Sequence, residues 1–269
     1  MITTRIRLVA LDLDGTLVGP DLTISARVKD AIARARARGT EITIVTGRMF
    51  AAAKPYAQTL GIAGPLVCYQ GAAIFEASTG AVLRETPVHQ DVTRQVLAWA
   101  EERQIHAQCY ADDKIYVQQI NRFSKRYTEL SRIEPTVVPS LQAAFADRPS
   151  IKIVLVDDPG PSEQHLAALK PLLGDRAYLT RSNVDFVEVL SPDVNKGEAL
   201  AFVAQRYGVT LAETMAIGDA WNDVPLIAAA GVGVAMGSGP PELFAKADAV
   251  VGDVAHDGVA EAIERYVLT

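Results

Sequence analysis

Ile6-Arg7-Leu8-Val9-Ala10-Leu11 runs straight into Asp12-Leu13-Asp14-Gly15-Thr16. The first six residues are nearly continuous in apolar side chains and do not alternate, the pattern of a strand buried on both faces in a parallel sheet. Two acids then leave the strand end, which is where open α/β sheets bind ligands. Neighbouring carboxylates repel and call for a cation or a proton between them, and Gly15 permits a sharp turn directly behind them. A lone D-x-D is more often a simple strand-end turn, so its weight depends on what accompanies it.

Working outward, Ser25 reads as the N-cap of a helix over 26–38, with Gly39 as its stop. Glu41-Ile42-Thr43-Ile44-Val45 reads as a second buried strand, followed by Thr46-Gly47-Arg48 and a helix to Leu60. Strand, helix, strand, helix is the signature of βαβ units on a parallel sheet. A strand over 66–69 continues it, and 72–75 with 81–84 reads as a hairpin around Ser78-Thr79-Gly80. The same texture returns late in the chain: a helix over 195–207, a strand over 214–217, a helix over 223–230, a strand over 231–235 and a last helix over 259–267. Between about Gln90 and Asp185 the pattern differs. Lys114-Ile115-Tyr116-Val117-Gln118 alternates as a half-exposed strand does, with Asp112-Asp113 as a hairpin turn before it. The stretch predicts an α+β unit of about 100 residues, a usual domain size, inserted into an α/β, Rossmann-like parallel-sheet core. The predicted boundaries are 1–86 and 188–269 for the core and 87–187 for the insertion.

A second acidic strand end, Ile217-Gly218-Asp219-Ala220-Trp221-Asn222-Asp223, repeats the first. If the two strands are neighbours, four carboxylates face one crevice, and Mg²⁺ suits such a site because it prefers oxygen ligands. Thr46-Gly47 offers a hydroxyl and an unencumbered N–H at a third strand end. Lys196 stands at a predicted helix start, against the helix dipole; taken alone it reads as a solvated surface residue. Cys68 and Cys109 form no C-x-x-C, and the four histidines show no ligand spacing, so neither zinc nor a disulfide framework is suggested. With 269 residues and a net charge of −6, the chain lacks the basic balance of a nucleic-acid or membrane-surface binder. No segment reads as a signal peptide or a membrane helix. A cytoplasmic protein, monomer or homodimer, is expected.

Taken together, Asp12-Leu13-Asp14-Gly15-Thr16-Leu17, Thr46-Gly47-Arg48, Asn195-Lys196-Gly197 and Gly218-Asp219 with Asn222-Asp223 resemble the four motifs of the haloacid dehalogenase-like superfamily. More narrowly, the chain is similar to its Cof-type phosphatases, which carry a large α/β cap of the C2B type between the second and third motifs. Gly71-Ala72, the run 231–237 and Asp257-Gly258-Val259-Ala260 extend the resemblance over the whole core, while the cap matches in size and position more than in sequence. Three departures lie near the crevice rim: Gln70 where Asn is more common, Ser238-Gly239 in place of Asn-Ala, and Trp221 within the fourth motif.

The resemblance implies a Mg²⁺-dependent phosphatase for small phosphorylated metabolites, sugar phosphates foremost, working through an aspartyl-phosphate. Asp12 is then the nucleophile and Asp14 the acid–base catalyst. Thr46, Gly47, Lys196 and Asn222 bind the phosphoryl group. Asp12, Asp219, the Asp14 main-chain carbonyl and nearby Asp223 hold the metal. Tyr110, Lys114, Tyr116 and Arg181, polar or aromatic on predicted cap strands, are the candidate substrate contacts. A phosphomutase of the same branch and a catalytically silent phosphometabolite-binding protein stand as alternatives.

Overall fold

The computed structural model describes residues 5–158 and 160–269. The chain begins with β1 (Leu8–Leu11), α1 (Ala26–Ala37), β2 (Glu41–Ile44), α2 (Phe50–Thr59), β3 (Pro65–Cys68), β4 (Ala73–Glu76) and β5 (Val82–Glu85). The middle holds α3 (Gln90–Glu102), β6 (His106–Ala111), β7 (Lys114–Val117), α4 (Arg122–Ser131), β8 (Thr136–Val137), α5 (Leu141–Ala144), β9 (Ile153–Val156), α6 (Ser162–Leu173), β10 (Tyr178–Asn183) and β11 (Phe186–Leu190). It closes with α7 (Lys196–Arg206), β12 (Thr214–Gly218), α8 (Val224–Ala229), β13 (Val232–Met236), α9 (Pro241–Phe244), β14 (Ala249–Val251) and α10 (Gly258–Tyr266).

The core sheet has the order β14-β13-β12-β1-β2, all neighbours parallel. Leu11 registers with Ile217 on one side and Ile44 on the other, so three strands end at one level and release the three motifs into one crevice. Both faces are covered, which is why these strands read as apolar runs. Val9, Leu11, Ile42, Ile44, Met215 and Ile217 pack toward α1 and α10, while Leu8, Ala10 and Ala216 pack toward α7 and α8. Local signals set the helix ends. The Ser25 hydroxyl accepts from Val28 N at 3.1 Å, and Asn195 does the same for Glu198 N at 2.9 Å, which starts α7 at Lys196. A bridge between Val45 and Val67 ties β3 to the open edge of this sheet, and β3, β4 and β5 form an antiparallel trio.

The insertion is a six-stranded sheet, β10-β11-β9-β6-β7-β8, antiparallel except for the short β7–β8 pair. Its strands alternate strictly. Cys109, Ala111, Tyr116, Ile153, Leu155, Val187 and Val189 face a core shared with α3, α5 and α6, whereas Tyr110, Ile115, Val117, Val154, Val156 and Phe186 join the core continuous with the first domain's. The α/β core with an inserted α+β unit, expected from the sequence, is the fold adopted. The strand β14 was not anticipated: its apolar run is only Ala249-Val250-Val251, at a sheet edge with Val250 exposed, shorter than the runs that marked its neighbours.

Candidate active site

The acids of the first and fourth motifs meet because β1 and β12 are paired neighbours. One carboxylate oxygen from each of Asp12, Asp219 and Asp223 lies within 4.8 Å of the others. Two glycines make room. Gly15, at φ +84°, would with a Cβ sit 2.2 Å from Asp219 Oδ2, and a Cβ on Gly218 would sit 2.5 Å from that of Asp223. Thr16 donates to Asp219 Oδ1 at 3.0 Å. Lys196 is not a surface residue: it is buried, and its ammonium donates to Asp12 Oδ1 at 2.5 Å and to Asp223 Oδ1 at 2.6 Å. The other oxygen of Asp223 accepts the Asp219 and Ala220 N–H groups, both at 3.0 Å. Asp223 therefore has both oxygens committed and acts first as a brace for Lys196 and for the loop carrying Asp219.

Electrostatics confirm the crowding. Burial, then repulsion from Asp223, push Asp12 well above the usual carboxylate range, against the pull of Lys196. The same two causes push Asp219 up to about 7. Burial works against the Lys196 ammonium, but Asp12 and Asp223 outweigh it and hold the group above the ordinary lysine value. Three buried or half-buried acids thus crowd around one ammonium, which bonds two of them, Asp12 and Asp223. A hard divalent cation fits the oxygen donors and the uncompensated negative charge.

The second motif supplies the opposite wall. Thr46 N donates to Val67 O, and the Thr46 hydroxyl accepts from Arg48 N at 3.1 Å. Arg48 is buried and forks onto Asp14, Nε to Oδ2 at 2.8 Å and Nη2 to Oδ1 at 2.5 Å. With both oxygens in that fork, the Asp14 side chain stands outside the acidic trio. Asn222 donates Nδ2 to Gln70 Oε1 at 2.9 Å, and its carbonyl oxygen has no partner among the described residues. The Asn222 amide carries two N–H donors, so one can be offered to a phosphate while the other stays on Gln70. Tyr69 and Gln70 both hold left-handed backbone, at φ 53° and 61°, a strained pairing of the kind found at functional sites.

A cavity of about 170 Å³ lies between core and insertion. Asp12, Asp14, Thr46, Gly47, Arg48, Gln70, Ala220 and Asn222 line it from the core; Tyr127, Ser131, Val154, Phe186, Lys152 and Glu188 line it from the insertion. None of the four expected cap contacts is among these residues. Tyr116 lies on the other face of the sheet, against Phe145 and Arg148. Tyr110 is on the right face but buried beneath Tyr127 and bonded to Gln108. Lys114 is exposed at the hairpin, and Arg181 stacks on the Trp221 ring, 4.5 Å from its centroid. The residues that do reach the cavity include a buried ion pair, Lys152 Nζ to Glu188 Oε2 at 2.8 Å; Lys152 also donates to Gly47 O at 2.8 Å, and Gln70 donates to Glu188 Oε1 at 2.9 Å. A sign of it was present in the sequence: one charge inside each of two apolar strands, Ile151-Lys152-Ile153 and Val187-Glu188-Val189, of opposite sign.

Residues 9–263 match the model of the haloacid dehalogenase-like hydrolases. The chain belongs to that family. It is 30% identical to the pyridoxal phosphate phosphatase YbhA of Escherichia coli over 99% of this chain and 100% of that one. It is 29% identical to the HMP-PP phosphatase of an Enterobacter species, over 97% and 96% of the two chains. A haloacid dehalogenase-like hydrolase from Bacteroides thetaiotaomicron superposes with a TM-score of 0.85 at 26% identity, covering 97% of this chain and 99% of that one. The chain is a phosphatase of the haloacid dehalogenase-like family. No helix among the described residues is long and apolar enough to cross a membrane.

Proposed function

We propose that this phosphatase hydrolyses small phosphomonoesters with Mg²⁺ through a phosphorylated Asp12. The observation that carries the reading is Lys196, buried between Asp12 and Asp223 beside Asp219. Asp12 attacks phosphorus and displaces the alcohol; water then attacks the same phosphorus and returns phosphate and a free carboxylate. Lys196 aims Asp12 and pulls its carboxyl toward the ionised form, against burial and Asp223. Asp14 gives a proton to the leaving oxygen and takes one from the attacking water, which requires it to leave at least one arm of the Arg48 fork. Thr46, Gly47, Lys196 and Asn222 bind the phosphoryl oxygens. Asp12, Asp219 and the Asp14 main-chain carbonyl hold Mg²⁺, with Asp223 behind them. When bound, the ion offsets the repulsion between phosphate and Asp12.

The cap, expected at 87–187 over a core of 1–86 and 188–269 and carried by β11 on to Leu190, selects the alcohol. Lys152 and Glu188 spend their charges on each other, on Gly47 and on Gln70. The cap wall that remains is Tyr127, Val154, Phe186 and the Ser131 hydroxyl, which accepts from Ile133 N at 3.2 Å. A sugar would leave most of its hydroxyls unpaired against it, at about 1–3 kcal/mol for each buried group, whereas a flat heteroaromatic ring packs on it. The wall supports pyridoxal 5′-phosphate, the substrate in the Escherichia coli relative's name, over the sugar phosphates that the motifs alone suggest. Initial rates of phosphate release from pyridoxal 5′-phosphate, sugar phosphates and phosphoglycolate, with Mg²⁺ and with EDTA, test both parts. Release that needs Mg²⁺ and favours the ring ester supports the reading. Release untouched by EDTA contradicts the metal, and a sugar preference contradicts the wall.

A further inference from the structure

Helix α2 starts directly behind the phosphate-binding loop, yet it lacks a cap of its own. Its N-cap residue is Met49, without a side-chain hydrogen bond, and its first turn carries no acid. The first helical N–H groups need partners. They find them in the inserted domain, at the β6–β7 turn. Asp113 Oδ1 accepts from Phe50 N at 2.9 Å, and Oδ2 accepts from Ala51 N at 2.9 Å. The Tyr69 hydroxyl donates to the same Oδ1 at 2.7 Å. To aim this carboxylate, Asp112 and Asp113 both take left-handed backbone, at φ 50° and 52°.

The loop in front of α2 is tied at every carbonyl. Gln70 N donates to Thr46 O at 3.0 Å, Lys152 Nζ to Gly47 O at 2.8 Å and Tyr69 N to Arg48 O at 2.9 Å. The inserted domain thus grips residues 46–51 at two points, Lys152 at the loop and Asp113 at the helix start, with Tyr69 touching both loop and Asp113. Arg48 extends the linkage to Asp14.

We propose that Asp113 is a positioning residue: the cap hairpin serves as a detachable N-cap for α2, so that cap docking sets the register of Thr46, Gly47 and Arg48, and through Arg48 that of Asp14. The proposal rests on the reading of Thr46 and Gly47 as phosphoryl ligands. It makes the loop competent only when the cap is seated, which couples exclusion of water to assembly of the site.

The test compares Asp113→Ala, Asp113→Asn and Asp112→Ala with the wild type, as full chains with Mg²⁺. Asp112 shares the turn but pairs with Arg148 rather than α2. Two readouts are needed: steady-state phosphate release, and amide hydrogen exchange of peptides covering 46–52. Loss of a capping carboxylate predicts a fall in kcat of about tenfold for Asp113→Ala, with KM changed less. Exchange should rise in 46–52 and not in β1 or β12. Asp113→Asn keeps one acceptor oxygen and should recover most of both, and Asp112→Ala should match the wild type. Unchanged kcat in folded Asp113→Ala overturns the proposal, as does faster exchange in 46–52 without a kcat loss. A wild type that releases no phosphate from any ester overturns the catalytic reading instead, while the exchange data still report on the cap.

Discussion

The core crevice and the cap wall face each other across one cavity, and they differ in how their residues are placed. On the core side every functional group leaves the end of a strand or the start of a helix. Asp12 follows β1, Thr46 follows β2, Asp219 follows β12, and Lys196 opens α7. Parallel register brings those ends together whatever the rest of the sheet does. On the cap side the groups lie along the strands β9 and β11 and the helix α4, or next to them, and for the strands alternation decides whether a side chain meets the core or the outer helices. Tyr116 and Val117 are adjacent in sequence and sit in different hydrophobic cores. End-of-strand sites therefore tolerate coarse reading, whereas face-of-sheet sites do not.

The comparison can be broken first at its strongest point. Lys196→Met leaves Asp12 and Asp223 without their shared cation. Removing one partner of a buried pair costs about 3–5 kcal/mol, and loss of a phosphoryl ligand should lower kcat by at least about a hundredfold. Denaturant unfolding and phosphate release measure the two effects; a stable, active Lys196→Met protein would sink the assignment. On the cap side, Phe186→Leu keeps the bulk and removes the ring. Aromatic packing is worth about 0.5–1.5 kcal/mol, so KM for pyridoxal 5′-phosphate should rise roughly three- to tenfold while phosphoglycolate is handled as before. Equal changes for both esters would show that Phe186 does not read the alcohol.

The acidic trio makes a smaller, pH-dependent prediction. Asp219 titrates at about 7 in the folded, metal-free chain against 3.8 for an ordinary Asp. A raised carboxyl contributes stability that is present below about pH 4 and lost as pH rises through 7. A bound cation removes that penalty, so the gain in Tm on adding Mg²⁺ should be larger at pH 8 than at pH 5.5. Thermal melts at the two pH values check it, and an equal gain at both would speak against Asp219 as a ligand. The smallest effect on activity belongs to Tyr116→Ala. It removes a ring packed on Phe145 and should cost about 3 kcal/mol of stability with kcat/KM unchanged. A loss of turnover in the folded variant would return Tyr116 to the site.

These contrasts also show how far the sequence could be read. The parallel core was legible because buried strands declare themselves as unbroken apolar runs, and because a second acidic strand end gives the first, alone an ordinary turn, a shared cation to serve. Lys196 was legible only in company, since a lysine at a helix start does not reveal that it is buried. The Lys152–Glu188 pair was visible as two isolated charges in apolar strands, but their meeting depends on β9 and β11 being neighbours, which the chain order does not state. Asp113 looked like a turn residue and is one; that its carboxylate caps a helix 60 residues earlier comes from how the two domains seat. The Arg48 fork on Asp14 was likewise illegible, since Thr46-Gly47-Arg48 does not state which acid the fold sets opposite its third residue.

The central claim is that Asp12 carries the phosphoryl group. Acid quenching of the enzyme during turnover of pyridoxal 5′-phosphate with Mg²⁺, followed by peptide mass mapping, tests it directly. The account predicts a phosphoryl adduct on Asp12 in the wild type, and neither adduct nor turnover in a folded Asp12→Asn variant. Turnover by that variant, or an adduct on another residue, would contradict it.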